Sequence, residues 1–133
     1  MLPDHVVWSP RQAVIDLHRL SIERFGGSHG IRDDDGIDAA LARPQQLAAY
    51  QETGLSIFEL AAALGYGLVK IRHPFVDGNK RAGWFSMFVF LRLNGYYLDA
   101  SERAATEAIV GVASGGITEA ELADFLARES YAQ

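Results

Sequence analysis

The chain has 133 residues with a formal charge of −5, no cysteine and 49% hydrophobic residues. Such a length and composition give one globular domain, residues 1–133, able to bury a core without staples. They exclude disulfides, thiolate zinc sites and cysteine nucleophiles. The acidic balance and the lack of a Lys/Arg-rich run argue against nucleic acid as a partner. Met1-Leu2-Pro3-Asp4-His5 carries no signal-peptide pattern, and the longest apolar run, around Trp84 to Leu91, falls short of a membrane span. The expectation is a cytoplasmic protein with no membrane partner.

In chain order, helical periodicity dominates. Ser9-Pro10 opens a first helix with Ala13, Val14, Leu17, Leu20 and Ser21 on one face, and Gly26-Gly27 stops it. Asp33-Asp34-Asp35 could suggest a metal site, but acids favour a helix start and are read here as a solvated N-terminus. A short helix is expected from about Gly36 to Arg43, ended by Pro44. Pro44 to Gly54 shows no clear period. A third helix is expected from Ser56 to about Arg72, with Ala61 and Gly65 forming a small face for close packing. The run Gly78–Leu93 reads as a helix apolar nearly all round, so it belongs at the centre of the domain. Gly95 ends it. Helices then start at Ser101 and at Thr118, where Thr118 and Glu121 make a capping box. The fold class is all-α: about six helices around a buried central helix, with β-structure limited to a small hairpin. His5, His18 and His29 have no partner cluster and are read as surface residues.

The stretch His73-Pro74-Phe75-Val76-Asp77-Gly78-Asn79-Lys80-Arg81 carries the chemistry. Pro74 and Gly78 disfavour a helix interior, so a loop precedes the apolar helix. That order aims free backbone N–H groups and the positive end of a helix dipole at the Gly78-Asn79 turn, an anion site. Lys80 and Arg81 add positive charge. Asp77 beside a polyphosphate suits Mg²⁺, and histidine, which titrates near neutral pH, suits a general base at His73. Each residue also has a plainer reading. His73 could be a capping histidine, Asp77 a helix cap and Lys80 a solvated helix-start lysine, although Lys80 is one of only two lysines against ten arginines. Phe75 is read as a hydrophobic anchor for the loop.

The stretch resembles the Fic/Doc family, whose motif runs His-x-Phe-x-x-Gly-Asn-x-Arg with an acid before the glycine. His73, Phe75, Asp77, Gly78, Asn79 and Arg81 match in order and spacing. The segments Phe25–Asp33, Ala40–Gln45 and Leu93-Asn94-Gly95 look similar to Doc-type proteins, so nearly the whole chain is covered. Fic adenylyltransferases carry a second glycine where this chain has Lys80 and a second arginine where it has Trp84. Both departures are typical of Doc. The resemblance therefore implies a compact Fic/Doc helical bundle and transfer of the γ-phosphoryl of ATP, with Mg²⁺, to a Ser or Thr hydroxyl of a protein. It implies phosphates over Gly78 and Asn79, metal on Asp77, charge neutralisation by Lys80 and Arg81, and His73 as base. The Pro44–Tyr50 segment corresponds to the flap that aligns the target. A toxin of a toxin–antitoxin pair, a translation factor such as elongation factor Tu as target, and translation inhibition with growth arrest are implied likewise. Adenylylation by the same residues stays open, as does a catalytically poor nucleotide- or partner-binding module. Some Fic proteins inhibit themselves through a glutamate followed by Gly or Asn. No glutamate here is so followed, and the arginine it would grip is Trp84, so restraint is expected in trans from a Phd-type antitoxin.

Overall fold

The computed structural model describes residues 2–3, 5–51 and 53–133. Among the described residues there are six α-helices: α1 Arg11–Phe25, α2 Asp34–Tyr50, α3 Ile57–Tyr66, α4 Asn79–Leu93, α5 Glu102–Ser114 and α6 Glu119–Arg128. A π-helical turn, Gly67–Arg72, continues α3 to the edge of the motif. Strands β1 (Tyr96–Leu98) and β2 (Ser130–Ala132) pair antiparallel, Tyr97 opposite Tyr131. The expected all-α bundle is observed. The small sheet is not a hairpin of neighbouring segments, because α5 and α6 lie between its strands, and it stands apart from the expected flap. Among the described residues no helix is long and apolar enough to cross a membrane.

Four of these helices, α2, α3, α5 and α6, start where a side chain satisfies a free N–H group. Asp33 caps α2, Ser101 caps α5, and capping boxes open α3 (Ser56 with Glu59) and α6 (Thr118 with Glu121). The acidic run is the expected helix start: Asp34 and Asp35 fill the first turn of α2, and Arg11 of α1 pairs with Asp34 and Asp38. The first helix begins at Arg11, with Pro10 in the capping position.

The short helix expected to end at Pro44 instead runs on to Tyr50, so the Pro44–Tyr50 part of the expected flap is helical. Proline inside a helix costs roughly 3 kcal/mol. The packing of Leu41, Leu47 and Ala48 against the core offsets that cost. Arg43 adds a second anchor, donating from its guanidinium to the Ala63 carbonyl (2.6 Å) and to Glu119 (2.7 Å). Tyr50 ends the helix 95% exposed. The flap position Glu52 lies outside the described residues.

The core is centred on α3 and α4. Leu60, Leu64, Leu68, Met87, Phe90 and Leu91 are all fully buried. A Cβ at Gly65 would run into the Met87 side chain, so glycine lets α4 approach α3 this closely without displacing that methionine. α4 is buried on one face, at Ala82, Gly83, Ser86, Met87, Phe90 and Leu91, while Trp84, Phe85, Phe88 and Val89 are half-buried. The face of α1 departs from expectation: Val14, His18, Ser21 and Ile22 are buried, whereas Leu20 is 54% exposed.

Candidate active site

The loop from His73 to Gly78 crosses from the π turn to the start of α4. Phe75 anchors its middle, 1% exposed, as the sequence suggested. The Asn79 side chain closes a ring on that anchor, accepting from the Phe75 N–H and donating to the Phe75 carbonyl, each at 3.0 Å. The Asn79 amide is thus engaged within the loop, which leaves its backbone N–H for a ligand. Gly78 caps α4 at φ 75° with no side-chain cap, a left-handed turn that suits glycine. The first intrahelical acceptance there is Ala82 N–H to the Gly78 carbonyl (3.0 Å). The N–H groups of Asn79, Lys80 and Arg81 therefore have no partner within the helix, at its positive end.

His73 ends the π turn in a left-handed backbone conformation, φ 47°, and its side chain is exposed. Segment 30–33 runs alongside the loop. The N–H groups of Arg32 and Asp33 donate to the Pro74 carbonyl (2.8 and 3.0 Å), and the Val76 N–H donates to the Gly30 carbonyl (3.0 Å). The Arg32 guanidinium also donates to the carbonyls of Arg72 (3.3 Å) and His73.

Asp77 is held from the other side. Its Oδ2 accepts from the Ser28 N–H (3.1 Å) and its Oδ1 from the Gly78 N–H (2.8 Å). These two donors, the Ser28 N–H foremost, with the nearby charge of Arg81, hold the carboxyl below the usual carboxylate range. A Cβ at Gly27 would lie 2.8 Å from Asp77 Oδ2, so the preceding loop closes directly on the carboxylate. His18, expected at the surface, is 4% exposed beneath the loop. Its ring stacks on Phe75 with centroids 3.8 Å apart, and its Nε2 lies 2.7 Å from the Asp77 carbonyl oxygen. A carbonyl can only accept, so Nε2 carries the proton. Burial pushes this imidazole below its ordinary pKa, favouring the neutral ring that such a bond needs.

Arg81 donates to the Gly26 carbonyl (2.8 Å) and lies over the Phe25 ring, 5.7 Å from its centroid. Four of its five N–H donors remain, beside Gly78. Lys80 is exposed and makes no ion pair among the described residues. Trp84, at the position of the second Fic arginine, packs near Phe125 of α6, ring centroids 6.3 Å apart. The loop and the first turn of α4 thus carry His73, Asp77, Gly78, Asn79, Lys80 and Arg81 in sequence. Sequence reasoning missed His18, Ser28 and Arg32, whose contacts reach 59, 49 and 41 residues along the chain. Only the helical position of His18, four residues after buried Val14, hinted that it faces inward.

The donor set fits a hard cation better than zinc. Among the described residues no three metal-capable side chains cluster, and Asp77 is an ionised carboxylate whose two oxygens each accept from one N–H. One carboxylate, completed by substrate oxygens and water, is a usual Mg²⁺ arrangement.

Residues 8–91 match the Fic/DOC family. The chain is 37% identical over 121 residues to "Protein kinase doc" of Escherichia phage P1, covering 90% of this chain and 92% of that protein. It is 41% identical over 76 residues to "Toxin Doc" of Mycolicibacterium smegmatis, covering 57% and 58% respectively. With its motif on the loop and first turn that open a central helix, the chain belongs to the Fic/Doc family.

Proposed function

We propose that the protein is a Doc-type toxin that transfers the γ-phosphoryl of ATP to a Ser or Thr hydroxyl of a protein target. The observation that carries this reading is the composition of that loop and first turn. An exposed histidine, an ionised carboxylate, free N–H groups at a helix start and an unpaired lysine stand together there, with Lys80 and Trp84 where AMP-transferring relatives have Gly and Arg. The name "Protein kinase doc" borne by a relative over nearly its full length supports the same reading.

His73 accepts the hydroxyl proton. As that oxygen bonds to the γ-phosphorus, the bond from phosphorus to the β,γ-bridging oxygen breaks and ADP leaves. The N–H groups of Asn79 and Lys80 hold phosphate oxygens at the positive end of α4. The Lys80 ammonium and the remaining Arg81 donors neutralise charge on the transferring group. Asp77 would hold Mg²⁺, which when bound screens the phosphate charges. Positioning and charge stabilisation supply most of the acceleration.

The relative named "Toxin Doc" supports a role in growth arrest. We propose a translation factor such as elongation factor Tu as the cytoplasmic target, with a Phd-type antitoxin as inhibitor in trans. The discriminating experiment incubates the protein, Mg²⁺ and bacterial cell extract with ATP labelled at the α- or the γ-phosphate. Label reaching a protein from the γ position alone is expected. Label arriving from the α position would replace the kinase reading with adenylylation, and none from either would favour a binding module.

A further inference from the structure

We infer that Arg32 is a positioning residue that sets the direction of the His73 imidazole, an inference that rests on the reading of His73 as the base. Among the described residues His73 is the only non-glycine with positive φ. L-residues disfavour that conformation, and it persists only where the surroundings over-determine it. On the downstream side, buried Pro74 is fixed by the N–H groups of Arg32 and Asp33 at its carbonyl. At the residue itself, the restraint is the Arg32 side chain. Its Nε donates to the His73 carbonyl at 3.2 Å, and its Nη2 donates to the same oxygen and to the Arg72 carbonyl at 3.3 Å.

These oxygens belong to the C-terminal end of the π turn, where helical carbonyls lack intrahelical partners and carry partial negative charge. A guanidinium there makes charge-assisted bonds with a planar fork, a geometry an ammonium cannot reproduce. The choice of partner is informative. Three carboxylates, Asp33, Asp34 and Asp35, follow Arg32 directly, yet its only side-chain bonds among the described residues go to backbone carbonyls of the catalytic segment. Arg32 is exposed and is not among the residues packed on the core, so its loss removes little packing. What it governs is the peptide from which the base projects. Without it, the His73 backbone can relax toward the ordinary helical or extended regions and carry the imidazole off line.

The test measures label transfer from ATP at saturating Mg²⁺ for the wild type, Arg32→Ala, Arg32→Lys and His73→Ala. A displacement of about 1 Å can cost on the order of 10²-fold, so Arg32→Ala should lose about 10- to 100-fold in rate at saturating ATP. Its half-saturating ATP concentration should stay within about twofold, because the phosphate-binding turn is untouched. Arg32→Lys should recover part of the loss. Methylguanidinium, added below denaturing concentration, should restore activity to Arg32→Ala but not to His73→Ala. An undiminished rate in Arg32→Ala overturns the inference. So does a loss that tracks unfolding, that the lysine variant does not lessen and that methylguanidinium does not restore. If His73→Ala itself transfers label at the wild-type rate, the reading of His73 as base fails first. If His73→Ala is inactive while Arg32→Ala is not, only the role of Arg32 fails.

Discussion

The two ends of the His73–Gly78 loop are held in opposite ways. At the histidine end the restraint lies on the surface: an exposed arginine grips backbone carbonyls, and the neighbouring strap adds a bridge between Ile31 and Phe75. At the carboxylate end it is internal. Buried His18 fixes the Asp77 carbonyl, and the Ser28 N–H fixes its side chain. Phe75 and Asn79 pin the middle to the core, between the two supports. One loop therefore carries the two proposed functions, proton acceptance and cation binding, on separate supports, and substitutions should be able to damage either alone.

The strongest attempt to break this separation is His73→Ala. Loss of a general base costs ~10²–10⁴ in rate, and the loss should be the same at every Mg²⁺ concentration. Its side chain is exposed, so circular dichroism and thermal unfolding should match the wild type. Activity near the wild-type level, or a misfolded variant, would remove His73 from the base role.

At the carboxylate end, His18→Phe keeps an aromatic ring over Phe75 but deletes the donor to the Asp77 carbonyl. Loss of such outer support typically weakens metal binding by ~10–100-fold, so the Mg²⁺ concentration for half-maximal activity should rise by roughly tenfold or more, with the rate at saturating Mg²⁺ nearly kept. His18→Gln, which can still donate, should fall between. A fall in saturating rate with an unchanged Mg²⁺ titration would show that the two ends are coupled after all.

A contrast remote from the loop gives the smallest effect. Hydrogen bonds from the Thr118 backbone N–H and side chain lower the pKa of Glu121 from 4.5. A depressed carboxyl pKa means that its stabilising contribution is full above 4.5 and disappears as pH falls through the lower folded value. The stability difference between wild type and Glu121→Gln should shrink on acidification in that window, while label transfer at neutral pH stays unchanged. A difference independent of pH would mean that the box does not depend on the charge of Glu121.

The sequence made the motif loop legible because its signals are local. Pro74 and Gly78 break the helix, Asn79 lies four residues from the backbone it clamps, and the apolar run after Arg81 needs a core. The caps at Ser101 and Thr118 were legible for the same reason. What was not legible depends on partners distant in the chain. Pro44 stays helical because α2 packs on the core and Arg43 reaches Ala63 and Glu119, which no local rule reports. His18 read as a surface residue because its partners, Phe75 and Asp77, lie nearly sixty residues away. The pairing of β1 with β2 across two helices is likewise set by where α4 and α6 end.

The π turn at Gly67–Arg72 gives chain length a role in where His73 stands. Each of its loops encloses one residue more than an α-helical loop, and successive residues of a helix are rotated by about 100°. The bearing of the His73 backbone relative to α3 thus depends on a count of residues upstream of it, before Arg32 holds the peptide at the residue itself. Two proteins with identical motifs would aim their histidines differently if one had lost that extra residue. A reader comparing letters alone would see the same site in both.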